Sequence, residues 1–322
     1  MQRFTSVLFV ATPDTDDADA FERAVRVAEA NQATLTIVDL QQGPATPLAR
    51  VPGGLSPERL RAALAAASAD RLQRYIDNAA GRVDLHTRTL DGVGFVEVIR
   101  TVQSGGHDLL VKAAMEPGSR RRCLFSSFDM HLLRKCPVPV WLVKPGAGGE
   151  RYRRVLAPVD VDPGGAEKTE PSLNRHILET AAAQALADGS ELHVAHAWQP
   201  AYEGVLRSRG IFSAEDEVQR YIESERQAHQ GAFDRLADDM RSWIGGESCD
   251  WLHPVFHLRQ GQADTVIPEL ADELDADLVV MGTVGRTGIA GLLIGNTAET
   301  ILERIGCSVV ALKPSGFRSP IE

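Results

Sequence analysis

Little in this chain of 322 residues invites metal or covalent chemistry. It has four cysteines, Cys123, Cys136, Cys249 and Cys307, with no Cys-x-x-Cys pair and no histidine at zinc-ligand spacing, which argues against a zinc site. Cys136 and Cys307 sit just before apolar runs, where a thiol serves as a small buried hydrophobe. No His-Glu-x-x-His, no Gly-x-Ser-x-Gly and no clustered set of metal ligands occurs, and the nine histidines are scattered. No apolar run approaches the 18 residues that a membrane-spanning helix needs, so no span is expected. Asp14, Asp16 and Asp17 interrupt the early apolar stretch. A signal peptide is therefore not expected, and a cytoplasmic protein with reduced thiols is. Positive charge is scarce in one half. Residues 1–150 hold 18 Lys+Arg against 17 Asp+Glu, a net of +1, whereas residues 151–322 hold 16 against 27, a net of −11. That acidity argues against nucleic acid as a partner, because a nucleic-acid surface must be positive.

What the chain does contain is an internal repeat of about 150 residues. Val7 to Ala11, followed by an acidic turn, matches Val155 to Asp160. Ala33 to Val38 matches Ser190 to Ala195, His107 to Val111 matches Ala276 to Val280, and Pro139 to Pro145 matches Val309 to Pro314. Helical patterns lie between these apolar runs: Ala18 to Asn31 and Ser56 to Ala80 in the first half, Leu173 to Ala187 and Ala214 to Ile244 in the second. Strands alternating with helices of this length predict a parallel sheet with helices on both faces. The length suits two such domains, joined by Gly146-Ala-Gly-Gly149 and the charged Glu150 to Arg154.

The most informative stretch is Asp277 to Ala298, DLVVMGTVGRTGIAGLLIGNTA. A short apolar strand, Leu278 to Met281, runs into Gly282; Gly285 follows, and after nine further residues Gly295. Asn296 with Glu299 three places on reads as a helix start of the capping-box type, and the helix stops near Gly306. The order is thus strand, glycine-punctuated loop, helix N-terminus. Backbone N–H groups at such a terminus, with the positive end of the helix dipole behind them, suit a phosphate. The loop is neither a Walker A sequence nor a Gly-x-Gly-x-x-Gly dinucleotide fingerprint. The acidity of this half means that the loop amides need help from a metal ion or from Arg286.

Gly282-x-x-Gly285, nine residues and Gly295, followed by a small polar residue, resembles the ATP-binding loop of the universal stress protein family. SGGHDLL near residue 104 and HLLRKCPVPVW from residue 131 resemble the tandem-domain branch of that family, and the resemblance covers nearly the whole chain. It implies an α/β fold of two tandem Rossmann-like (adenine nucleotide alpha hydrolase-like) domains, about 1–145 and 151–315. Each would be a doubly wound parallel five-stranded sheet, the two packed as an intramolecular pseudo-dimer through Pro139 to Lys144 and Val309 to Lys313. A further homodimer is open to such a chain. The resemblance also implies that Pro158 and Asp160, after the first strand of the second half, hold a nucleoside, and that Val194 contacts the base through its backbone. Val159 and Met281 flank these positions. Gly282, Gly285, Asn296 and Thr297 would meet the phosphates of ATP, accompanied by Mg2+. Family members that bind ATP carry Ser or Thr directly after the last glycine; this chain has Asn296 there and Thr297 one place later.

The first half departs from this pattern. Ala113 and Glu116 stand where Gly282 and Gly285 would fall, Val10-Ala-Thr12 replaces Pro-x-Asp, and Ser126-Ser127 is the nearest substitute for a glycine-led helix start. The Cβ atoms would crowd a close backbone approach and Glu116 would repel a phosphate, so this half is expected not to bind ATP. Gly92-Val-Gly94 leads into no third glycine, and Arg120-Arg-Arg122 reads as a solvated basic loop. His193 and His196, three apart on one strand, point to opposite faces. His131, on the helix before Cys136, is open to a structural or a functional reading.

Two functions remain open on the sequence. One is a cytoplasmic stress-response protein that binds ATP or a related nucleotide in its second domain, in a sensing or regulatory role. No residue presents itself as an obligatory general base, so at most weak ATP hydrolysis is expected. The other is a binding module for a non-nucleotide small molecule, acyl-bearing or a nucleotide-sugar. A weaker third reading makes the charged helix around 214–244 a docking face for a protein partner.

Overall fold

The computed structural model describes residues 4–13, 16–41, 56–91, 94–114, 125–146, 151–164, 173–202, 215–283 and 294–321. Contacts along the chain group it into two units, residues 3–150 with 307–322, and residues 151–306. The loop residues Glu116, Arg120 to Arg122, Cys123, Gly285 and Arg286 lie outside the described residues, as do Gly92 and Val93.

In the first unit the order is β1 (Ser6–Ala11), α1 (Ala18–Asn31), β2 (Thr34–Gln41), α2 (Pro57–Ala79), β3 (Leu85–Asp91), α3 (Gly94–Gly105), β4 (Leu109–Ala113), α4 (Ser127–Lys135) and β5 (Val140–Val143). The strands pair in parallel in the order β3-β2-β1-β4-β5. β1, β4 and β5 are continuous apolar or nearly apolar runs because parallel strands between helices are covered on both faces. Helix α2 starts as its sequence dictates: Ser56 caps it by accepting from the Arg59 N–H at 3.2 Å, and Pro57 follows. Phe9 of β1 meets Phe21 of α1 and Tyr75 of α2 edge-on, with ring centroids 5.4 and 5.6 Å away. Both helices therefore lie on the face of the sheet that Phe9 presents.

The second unit repeats the plan with β6 (Arg154–Pro158), α5 (Leu173–Asp188), β7 (Glu191–Trp198), α6 (Glu215–Ile244), α7 (Gly246–Leu252), β8 (Val255–Gln260), α8 (Ala263–Glu273), β9 (Leu278–Gly282) and α9 (Asn296–Arg304). Its strands run in parallel in the order β9-β6-β7-β8. The repeat extends to single hydrogen bonds. Asp108, before β4, accepts the N–H groups of Thr5 and Ser6 at 2.7 and 3.0 Å, and Asp277, before β9, accepts those of Arg153 and Arg154 at 2.7 and 3.0 Å. In each unit one carboxylate thus ties the start of the first strand to the start of the fourth.

The last strand, β10 (Ser308–Leu312), falls by contacts with the first unit. It pairs antiparallel with β5, Val309 opposite Leu142 and Val310 opposite Trp141, so the two segments expected to pair do so. Just beyond it Lys313, 8% exposed, donates from Nζ to the carbonyls of Leu133 and Arg134 at 2.6 and 3.3 Å, at the C-terminal end of α4. Burial lowers its pKa from the ordinary 10.5 to about 8, while burial of the neighbouring Cys136 thiol pushes that group up to about 12.

The unfolded chain keeps the lysine proton to a higher pH than the folded chain does. Between pH 8 and 10.5 the unfolded state therefore binds more protons, and folded stability rises with pH. The rise expected from this one group is about 3 kcal/mol at one pKa unit per 1.36 kcal/mol. Denaturant titrations of Lys313→Met at pH 7.5 and pH 10 should lack that increment relative to the unsubstituted chain. An equal increment in both proteins would mean that Lys313 does not carry it.

Candidate functional site

In each unit the first strand lies between the second and the fourth, so the chain leaves it in opposite directions at one end of the sheet. That switch point opens a crevice at the carboxyl ends of the strands, the usual ligand position in such sheets. In the second unit the crevice is bounded by Pro158 at the end of β6 and Gly282 at the end of β9.

The chain leaving β6 is fixed tightly. The Val159 N–H donates to the Ala195 carbonyl at 2.8 Å and continues the ladder. Asn174 of α5 holds the next residue from both sides: its amide nitrogen donates to the Asp160 carbonyl at 2.7 Å and its oxygen accepts the Asp160 N–H at 3.2 Å. The Asp160 side chain is exposed at the crest, while Val159 is buried. Val194 is fully buried inside the sheet, opposite Ala157 and Phe256, and sits one register position below the crest. The β7 residue that reaches the crest is His196. Its Nδ1 lies 3.3 Å from the Val159 carbonyl and its Nε2 2.9 Å from Nδ1 of His229 on α6. His193, on the other face, meets His257 of β8 at 3.0 Å, so the two histidines do separate as their spacing requires. Burial holds the pKa of both His193 and His257 below the ordinary 6.5. His131, in the first unit, stacks on Phe95 with ring centroids 4.3 Å apart.

On the other side of the crevice Met281 is buried and Gly282 ends the strand. A Cβ on Gly282 would stand 2.5 Å from Cδ2 and 3.1 Å from Cγ of Leu173, the first residue of α5. A side chain at this position would therefore require Leu173 to shift. Gly282→Val is expected to cost about 1–3 kcal/mol by overpacking. Shortening its neighbour in a Gly282→Val/Leu173→Ala double variant should recover part of that loss. Urea unfolding of both singles and the double measures the coupling, and strict additivity would show that the clash is relieved elsewhere.

The loop that follows closes on itself: the Gly295 N–H donates to the Thr283 carbonyl at 2.8 Å. Helix α9 then begins one residue earlier than the capping-box signature suggests. Gly295 is the cap, Asn296 is already helical, and the Glu299 N–H bonds to the Gly295 carbonyl at 2.9 Å. A glycine cap has no side chain to offer, so the cap residue itself makes no side-chain hydrogen bond to this helix end. Asn296 and Thr297 are exposed there. Among the described residues no three His, Cys, Asp or Glu side chains converge to hold a metal ion.

The first unit treats the same positions differently. By register Lys112 stands where the second unit has Met281, and Asp129 where it has Ala298. Lys112 and Asp129 are both fully buried and form an ion pair at 2.9 Å, and Nζ of Lys112 also donates to the Ala113 carbonyl at 2.7 Å. Asp129 in turn accepts the N–H and hydroxyl of Ser126 at 3.0 and 2.8 Å, completing a capping box at the start of α4. The helix start that would face an anion is already occupied by the protein's own carboxylate.

Of the residues singled out from sequence, Pro158, Val159, Asp160, Met281, Gly282, Gly295, Asn296 and Thr297 belong to the β6 and β9 ends or the start of α9. Asn174, Leu173 and the His196–His229 pair were not assigned to the site from sequence. The sequence predicts the helix that begins at Leu173, but no motif marks Leu173 or Asn174 as part of the site. The Lys112–Asp129 pair had a signal, since a lysine inside the strand Leu-Leu-Val-Lys-Ala must find a buried anion.

Two repeats of a parallel sheet, one with a glycine-capped helix start after a glycine-bounded loop and one self-capped, define a tandem Rossmann-like α/β protein. The family model described as the universal stress protein family matches residues 3–144 and again 151–313. The chain is 30% identical to universal stress protein E of Escherichia coli K12, over 100% of this chain and 98% of that relative. It is 29% identical to a universal stress protein E homolog of Haemophilus influenzae, over 97% and 98%. A crystal structure of a putative universal stress protein from Pseudomonas aeruginosa superposes with a TM-score of 0.66 at 25% identity, covering 97% of this chain and 94% of that one. The chain belongs to the universal stress protein family. No helix among the described residues is long and apolar enough to cross a membrane.

Proposed function

We propose that this chain is a cytoplasmic stress-response protein whose second domain binds ATP or a related nucleotide in a sensing or regulatory role. The observation that carries this reading is the contrast between α9 and α4. The second unit caps the helix start after its glycine loop with a glycine, whereas the first fills the equivalent start with Asp129 and neutralises it with Lys112. Open first-turn amides and a favourable helix dipole suit phosphate oxygens. Gly295, Asn296 and Thr297 offer the phosphate contacts, joined by Gly282, Gly285 and Arg286 of the loop. Pro158, Val159 and Asp160 would border the nucleoside, with Val194 and Met281 behind them. Mg2+ would enter as a counter-ion carried by the phosphates, which the −11 net charge of residues 151–322 favours.

Isothermal titration of ATP with Mg2+ into the intact protein tests the reading. One site per chain is the expected result. Absence of binding would sink it and leave the alternative of an acyl or nucleotide-sugar ligand in the same crevice.

A further inference from the structure

Strand β8 ends the sheet of the second unit and is held to it loosely. It runs beside β7 from His193 opposite Val255 to Trp198 opposite Gln260, and none of its six residues is buried. On one face Phe256 meets Phe233 of α6, with ring centroids 5.5 Å apart, and stays 37% exposed. Opening a strand with so little buried surface costs far less than unfolding the unit.

On the other face a histidine fastens it. Nε2 of His257, on β8, lies 3.0 Å from Nδ1 of His193, on β7. His193 is only 7% exposed, and its Nε2 is buried with no hydrogen-bond partner among the described residues. The Glu191 carboxylate stands 3.6 Å from that nitrogen, too far for a hydrogen bond. A bond between two imidazole nitrogens needs one donor and one acceptor, so one of the facing nitrogens must carry no proton. If one ring is protonated the bond survives, at the cost of a charge in a largely buried place. If both are protonated, two hydrogens and two like charges face each other where the bond was.

The charged groups around the pair offer little relief. Arg154 of β6 and Arg259 of β8 are cations, while Glu191 of β7 and Glu273 of α8 are carboxylates. Each carboxylate is already engaged by an arginine, Glu191 by Arg154 at 3.4 Å and Glu273 by Arg259 at 2.9 Å. Asp275, in the turn after α8, also reaches Arg154, at 3.9 Å. All five of these side chains are more than a third exposed, so solvent screens them. Burial is the larger influence on both rings, and it opposes their protonation.

We infer that the His193–His257 pair is an acid-sensitive latch: neutral, it fastens β8 to β7, and protonated, it releases β8 while the rest of the second unit stays folded. In the released strand both rings ionise at the ordinary 6.5, so the open state binds more protons than the closed state as the pH falls below that value. The latch is therefore fully closed above pH 6.5 and weakens below it. A ring that stays neutral in the closed state down to pH 5 raises the open population about 30-fold.

The first unit supplies an internal control. By register Thr36 and Arg88 stand where β7 and β8 carry His193 and His257, so β3, the corresponding outer strand, has no such pair.

Amide hydrogen exchange of the full chain at pH 7.5 and pH 5.0, corrected for the intrinsic rate at each pH, tests the latch. Protection of Val255 to Gln260 is expected to fall about tenfold or more at pH 5.0, and that of β3 by less than about threefold. Strands β6 and β9 should keep their protection. In His193→Gln/His257→Gln neither side chain ionises, so β8 protection should differ by less than about threefold between the two pH values. His257→Gln alone, at the half-buried ring, gives the same reading if the double variant does not fold. The latch is overturned if β8 loses no more protection than β3, if β6 and β9 lose theirs along with it, or if the acid loss persists in the glutamine variant.

Discussion

Lys112→Met is expected to destabilise the first unit by about 3–5 kcal/mol, because it leaves the Asp129 carboxylate buried without its cation. Removing one member of such a pair strands a charge in a low-dielectric interior, and that penalty exceeds anything the methionine gains by packing. Asp129→Ala should cost a similar amount, since it strands the ammonium and also opens the capping box at Ser126. The informative protein is the double variant, Lys112→Met/Asp129→Ala. It installs at these positions the residues that the second unit carries, Met281 and Ala298, which are buried at 3% and 8% exposure. The double variant should therefore be far closer to the parent than either single, short by about 1 kcal/mol for the lost cap. Guanidinium unfolding of the four proteins closes the cycle. If the singles are each within about 1 kcal/mol of the parent, water reaches the pair and the burial argument fails.

That pair also shows where sequence stops being informative. Eight of the ten strands and the four longest helices could be read directly, because apolar runs alternate with helical segments and each run recurs about 150 residues later. Strands β3 and β8, exposed or half-buried along most of their length, carry no such buried apolar run and could not be read that way. The helices Ala18–Asn31, Pro57–Ala79, Leu173–Asp188 and Glu215–Ile244 fall within a residue or so of their sequence-read limits. Helix starts are harder. Asn296 carries the right side chain to be a cap, yet the structure gives that role to Gly295, because the Gly295 N–H is drawn back to Thr283 and fixes the turn one residue early. Long-range polar contacts were invisible for a different reason. Asn174 clamps Asp160 from 14 residues away, and His229 reaches His196 from 33. Nothing local in the sequence announces either, since both depend on how a helix is laid across the strand ends. The site was legible as a loop with a helix behind it. The contrast between a glycine-capped and a self-capped helix start became visible only with side chains in place.

ATP affinity is expected to fall roughly ten- to hundredfold in Thr297→Asp, with no loss of fold stability. Thr297 is exposed in the first turn of α9, so the substitution disturbs no packing. A carboxylate there interacts favourably with the helix dipole and should stabilise the helix by about 0.3–1 kcal/mol. It also places a negative charge where a phosphate would sit. At about 5 Å the repulsion is roughly 1 kcal/mol in water and roughly 3 kcal/mol at an effective dielectric near 20, which gives the stated range. Stability and binding are therefore driven in opposite directions, unlike in Gly282→Val, where the clash with Leu173 would confuse the two. Thr297→Val serves as the neutral control and should retain most of the affinity, because the backbone amides remain open. The first unit carries a carboxylate at the matching helix start: Asp129, in the first turn of α4, completes a capping box there. Calorimetric titration of ATP with Mg2+ into both variants, beside their thermal melts, decides the matter. Unchanged affinity in Thr297→Asp would mean that no phosphate approaches α9, and the nucleotide, if bound, would have to be held by the β6 end of the crevice alone.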